Sequence, residues 1–180
     1  MADKNEAQIP EPLPQFERKL NTPYPPIDLD PEFGRVVRYF RGEDYASWAG
    51  LTAAFPGAYY FLDKVSPPKK ALPLRGNLIM CGILGTMAGF FYAYQSSSMR
   101  FWGWTENERE QKKDLVELSK RAQQGLPLYG ESQLDPFYQQ TAANNSRYAA
   151  LKLSTLPWFN FVSHNYHGVD TSKYHEKSQE

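Results

Sequence analysis

The chain has 180 residues, 20 basic and 20 acidic side chains, and formally no net charge. Balanced charge leaves no electrostatic footprint for a nucleic-acid partner, and the single cysteine, Cys81, excludes an internal disulfide, a four-cysteine cluster and a zinc knuckle. The negative mean hydropathy, −0.62, averages an apolar middle with two very polar ends, so it does not mark a soluble protein.

Residues 1–30 are polar and carry six prolines, which fix φ and donate no backbone hydrogen bond. An extended, polyproline-like segment is expected, either a disordered tail or a strap laid on a partner through Ile9, Leu13, Phe16, Tyr24 and Ile27. The sequence MADKNEAQIPEPLPQ resembles neither a signal peptide nor an Arg-rich presequence, so organelle targeting is expected to be internal.

A helix is predicted over 31–42, with Asp30 as N-cap, Pro31 in the first position and Gly42 at its end. Phe33, Val36, Val37 and Phe40 share one face, and Arg35, Arg38 and Arg41 fan across the other. Placed just before an apolar segment, this helix reads as lying in the headgroup plane.

Residues 45–62, YASWAGLTAAFPGAYYFL, carry no charge and span roughly 27 Å as a helix, a marginal crossing. Ala46, Gly50 and Ala54 form one small-residue stripe, and Ala49, Ala53 and Gly57 another; Pro56 is expected to kink or break the helix. A basic, Pro-rich loop follows over 63–75, with Lys69, Lys70 and Arg75. Residues 76–99, GNLIMCGILGTMAGFFYAYQSSSM, also lack charge and span about 36 Å, enough for a hydrocarbon core of roughly 30 Å. Cys81, Gly85, Gly89 and Ala93 recur every fourth residue, with Gly82 beside them. Such stripes allow close helix approach where lipid gives no hydrophobic push. The short loop makes the two helices antiparallel neighbours. Tyr59, Tyr60 and Phe61 then fall at one interface; Trp48, Tyr92, Tyr94, Trp102 and Trp104 fall at the other.

The polar remainder, 105–180, is predicted to hold two helices and an aromatic tail. Thr105-Glu106-Asn107-Glu108 reads as a capping box for a helix to about Gln124. A second helix is predicted from Asp135-Pro136 to about Leu153, followed by the extended run LPWFNFV. His164, His167 and His175 read as surface residues; no remaining ligand set completes a metal site. No nucleotide-binding loop, nucleophile elbow or zinc-protease motif occurs, and no carboxylate lies inside either apolar segment. Arg35, Arg38, Arg41, Lys69, Lys70, Arg75 and Arg100, with Trp48, Trp102 and Trp104, are the expected lipid-facing set. Gly50, Ala53, Gly57, Gly82, Gly85, Gly89 and Ala93 are the expected helix-packing set.

The layout also resembles a known family. A Pro-rich start leads into DPEFGRVVRYFRGEDY, then a small-residue helical hairpin, a Trp-rich exit (FWGWTENERE) and the tail LPWFNFVSHNYHGV. Together these resemble the 21 kDa (20.9 kDa) accessory subunits of mitochondrial NADH:ubiquinone oxidoreductase, respiratory complex I, of the fungal type. The resemblance implies a multi-pass place in the inner membrane, within the membrane arm, and no redox cofactor or catalytic residue in this chain. The expected fold is an all-α membrane protein: a two-helix transmembrane hairpin, a preceding amphipathic helix, and terminal segments ordered by partners. Its expected partners are other membrane-arm subunits and anionic lipid, including a structural phospholipid with cardiolipin as one candidate. The alternative function is a small membrane transport or protein-translocation subunit; a soluble interaction module is a further rival.

Overall fold

The computed structural model describes residues 21–66, 73–148 and 158–176, and among these the only regular structure is helical. Six helices follow in order: α1 (Phe33–Arg38), α2 (Gly42–Val65), α3 (Leu74–Phe101), α4 (Glu108–Gln123), α5 (Pro136–Ser146) and α6 (Ser172–Glu176).

The two long helices pair along their length. Trp48 donates its indole N–H to the Thr86 carbonyl at 3.0 Å, and Asn77 donates to the Tyr59 hydroxyl at 2.6 Å. Residue numbers rise on one helix as they fall on the other, so α2 and α3 are antiparallel. Gly85 and Gly89 of α3 are buried against α2. A Cβ at Gly85 would stand 2.7 Å from the Leu51 carbonyl oxygen, and one at Gly89 would stand 2.7 Å from that of Trp48. Only bare backbone permits that approach. α2 runs unbroken through Pro56, so the expected break does not occur. Of the two helices, α3 alone is long and apolar enough to cross a membrane. Both helices extend beyond their predicted bounds, because polar residues such as Asp44 and Arg100 cap the pair with ion pairs of their own.

A small core sits where the pair ends. Ile27, Val36, Tyr39, Tyr94, Phe101 and Trp102 are buried together, with Phe33, Phe40, Phe90 and Phe159 packed around them. The N-terminal segment is strapped onto it through backbone bonds. Tyr24 N–H donates to Gly103 O at 3.0 Å and Ile27 N–H to Phe101 O at 2.8 Å. Gly103 has φ +76°, and a Cβ there would stand 2.1 Å from the Tyr24 carbonyl, so glycine is required at this crossing. The tail closes from the other side: Phe33 N–H donates to Asn160 O at 2.7 Å, and Phe159 meets Tyr94 edge-on at 4.7 Å.

Several element bounds differ from expectation. α1 is half the predicted length and has Glu32, not Asp30, at its N-cap. Asp30 is taken instead by Ser146 and His164. Gly42 opens α2 rather than closing α1, because Arg41 N–H is capped by the Asp44 carboxylate at 2.7 Å. α4 starts after Asn107, not Thr105. Asn107 is buried and donates to the Arg100 and Pro25 carbonyls, locking the turn out of α3. α5 has Asp135 and Pro136 where expected but ends at Ser146; the predicted continuation to Leu153 falls partly outside the described residues.

Candidate functional site

The chemistry of this chain is concentrated in two ionic clusters at the base of the helix pair. The first gathers residues from several separate segments around Arg35. Its guanidinium donates to the Asp28 carboxylate on the N-terminal strap and to the Asp114 carboxylate on α4. All three side chains are almost completely buried. Arg35 also lies over the rings of Tyr129, at 5.1 Å, and Phe101, at 5.5 Å. Tyr174 of α6 donates its hydroxyl to the second Asp114 oxygen at 2.5 Å.

The cluster continues into the tail. His167 Nδ1 lies 2.8 Å from Asp28 Oδ1, and its Nε2 lies 2.8 Å from the His164 carbonyl. A carbonyl can only accept, and Asp28 already accepts from Arg35 and from Asp30 N–H. Both ring nitrogens of His167 therefore act as donors, an assignment made from their partners. His164 differs: Nδ1 accepts the Tyr166 N–H at 3.2 Å, which leaves Nε2 to donate to Asp30 at 2.6 Å. Burial raises the Asp28 carboxyl, but the charges of His167 and Arg35 outweigh it and hold the group below the ordinary carboxylate range. Asp114 goes the other way, because burial outweighs the pull of Arg35. Burial and the Asp114 charge likewise push the Tyr174 hydroxyl up.

The second cluster ties the start of α2 and the end of α3 to α4. Arg100 grips Asp44 through both terminal nitrogens and reaches Glu110 at 3.3 Å. Arg41 forms a two-pronged contact with the same Glu110, at 2.6 and 2.7 Å, and bonds Glu106 at 2.9 Å. Glu110 thus bridges two arginines from the ends of both long helices.

These positions correct the sequence reading of several residues. Arg35 and Arg100 were expected at lipid but are buried, because each has carboxylates within reach that would otherwise be buried unpaired. Arg41 is mostly covered by Glu106 and Glu110. Trp102 and Tyr94 lie in the core rather than in an interfacial belt. Trp48 is half-buried and packs on Phe90 at 5.2 Å. His164 and His167 are buried, not on the surface, because each faces an aspartate of the strap. Arg38, Arg75 and Trp104 are exposed, whereas Lys69 and Lys70 lie outside the described residues. Of the packing set, Gly85, Gly89 and Ala93 are buried, whereas Cβ atoms at Gly50, Gly57 and Gly82 would meet nothing within 4 Å. Ala53 is exposed.

Sequence reasoning missed Asp28, Asp30, Asp44, Glu110, Asp114 and Tyr129. Glu110 and Asp114 did carry a signal, since they line up at i, i+4 with the apolar Leu118 on one face of α4. The strap aspartates and Tyr129 carried none, because their partners lie far along the chain.

Among the described residues no group of three metal-type ligands converges. A cavity of about 330 Å³ opens beside Arg35, bordered by Arg38, Glu117, Arg121, Tyr129 and His167. The carboxylates of the junction are bonded to Arg35, to the two histidines and to the Ser146 and Tyr174 hydroxyls, so the arrangement clamps distant segments together.

Residues 21–106 match the family model for the NADH-ubiquinone oxidoreductase complex I, 21 kDa subunit. Residues 115–180 match the model for the C-terminal part of that subunit. The NADH-ubiquinone oxidoreductase 20.9 kDa subunit of Neurospora crassa is 44% identical over 167 residues, covering 91% of this chain and 87% of the relative. The chain belongs to the complex I 21 kDa subunit family. Within it, the strap, α1 and the helix pair fall in the first matched region, and all of α5, α6 and the histidine tail fall in the second.

Proposed function

We propose that this chain is a non-catalytic accessory subunit of mitochondrial respiratory complex I, with α2 and α3 placed together in the membrane arm. Family membership supports the complex. The observation that carries the membrane placement is the outer surface of the helix pair. Ile79, Met80, Ile83, Leu84 and Met87 of α3 and Phe61, Leu62 and Val65 of α2 are all about half exposed or more in the isolated chain. Lipid or apolar neighbours must cover such a surface. Paired with α3, the shorter apolar stretch of α2 needs no independent signal to cross.

The packing role passes to the free side of α2. Gly85 and Gly89 are already occupied by α2. Ala46, Gly50, Ala53 and Gly57 lie on the opposite side of α2 and are exposed. Their 4-3-4 spacing forms a shallow seam for an apolar helix of a neighbouring subunit. A structural phospholipid, cardiolipin among the candidates, and anionic headgroups are the further partners. The transport alternative requires polar groups turned toward a solute, yet Thr52 and Thr86 return their hydroxyls to their own helix at 2.8 and 2.9 Å.

Blue-native electrophoresis of mild-detergent mitochondrial membranes tests the reading. The chain is expected to co-migrate with NADH dehydrogenase activity near the megadalton range. Gly50→Leu with Gly57→Leu is expected to reduce that co-migration several-fold. Migration as a small or unrelated assembly would discard the subunit reading.

A further inference from the structure

α4 contains four acids and five bases, and the fold sorts them. Glu110 and Asp114 are buried on Arg41, Arg100 and Arg35. Glu117 is half-buried and faces Arg38 and the Tyr39 hydroxyl. Arg109, Lys112 and Lys120 are left on the outer side of the helix, at i, i+3 and i+11. Lys112 is 74% exposed and forms a solvent-exposed i, i+4 ion pair at 2.6 Å with Glu108, the one acid of α4 left on the outer side; water screens such a pair, so it holds the ammonium only weakly. In the middle of this basic stripe sits Val116, 66% exposed. Lys113, at the margin, turns its ammonium to the Arg38 carbonyl and the Tyr39 ring.

The level of α4 is fixed as well as its face. Glu106 and Glu110 bind Arg41 at the start of α2 and Arg100 at the end of α3. The helix therefore begins where both long helices leave their apolar stretches, with Trp104, 37% exposed, in the turn between. An apolar residue flanked by long basic side chains at that level is the composition of a helix lying on a headgroup layer.

We propose that the outer face of α4 rests on anionic lipid, with Arg109, Lys112 and Lys120 on headgroup phosphates and Val116 at the acyl boundary. The inference rests on the membrane placement of the helix pair argued above. It moves the lipid contact from the arginines of α1 and α3 to α4, because the fold consumes most of the former in ion pairs.

The full-length chain, reconstituted in nanodiscs of phosphatidylcholine with or without phosphatidylglycerol, provides the test. Amide exchange over residues 108–123 is expected to slow about fivefold or more in the anionic discs. The difference is expected to vanish at about 1 M salt, where the Debye length is about 3 Å. It is also expected to vanish in the triple variant Arg109→Gln, Lys112→Gln, Lys120→Gln, whose sites are on the surface. Equal exchange in both lipids would overturn the proposal while leaving the membrane placement intact, provided that α3 amides stay protected in both. Unprotected α3 amides in both discs would instead overturn the placement and this proposal with it. Loss of the triple variant from complex I with no lipid dependence of exchange would overturn it in favour of an acidic protein surface.

Discussion

The helix pair and its base are built on opposite terms. Along α2 and α3 many apolar side chains point outward, and the closest inner approach is that of Gly85 and Gly89 to the α2 backbone. At the base, charged side chains are inside, and each is paired with charges from another segment. The pair is held by close backbone approach, whereas the base is held by buried ion pairs. Small modules with little core fold when distant segments are cross-tied. Here the ties are ionic, and they order both the strap and the tail.

The largest expected effect is at the centre of the base. Arg35→Met leaves Asp28 and Asp114 buried without their cation, which should cost about 3–5 kcal/mol. Thermal unfolding of the full chain in detergent, followed by tryptophan fluorescence, measures it. A loss of under 1 kcal/mol would mean that the base is not a self-supporting unit. Gly89→Leu tests the pair and comes next. The new side chain would drive the Trp48 backbone away and should cost about 1–3 kcal/mol of helix pairing. Gly50→Leu sharpens the contrast, since a Cβ there meets nothing within 4 Å. It should leave the isolated chain unaffected and act only where a partner helix is present.

The pair was largely legible in the sequence, and the base was not, for one physical reason. Close helix pairing depends on local features: an uncharged run, and small residues every fourth position. Residues 76–99 display both, and α3 follows them to within two residues at each end. The base depends on partners far apart in sequence, such as Asp28 with His167 or Arg35 with Asp114. No periodicity records such a meeting. Arg35, Arg38 and Arg41 looked alike beside an apolar face, yet only the fold reveals which carboxylate each one meets. Trp102 misled in the same way: an aromatic at the end of an apolar helix suits an interface and a core equally. Its indole N–H, on the Leu29 carbonyl at 3.2 Å, marks the core role.

Acid should separate the two aspartates that share Arg35. Asp28 is held low in the folded state, so its contribution is present above the unfolded carboxylate pKa of about 3.9 and is lost as pH falls. Asp114 is raised, so the folded state binds that proton more readily and its contribution grows as pH falls. In unfolding measurements from neutral pH downward, Asp28→Asn should therefore flatten the acid limb and Asp114→Asn should steepen it. Parallel limbs in the two variants would show that the carboxylates are not distinguished by the histidine on one side.

The smallest effect is expected one helical turn from the largest. Arg38 sits on the same short helix as Arg35, three residues on, and also faces an acid of α4, Glu117 at 3.3 Å. Its side chain is 57% exposed, against 6% for Arg35. Water screens an exposed pair and replaces its hydrogen bonds when one partner goes, so Arg38→Ala should cost under about 0.5 kcal/mol. The two substitutions remove the same charge from the same helix. A difference of several-fold between them would locate the stability of the base in burial and complete pairing, not in the number of ion pairs. Similar losses would mean instead that α1 is held mainly by Val36 and Phe33 against α3, with the arginines as passengers.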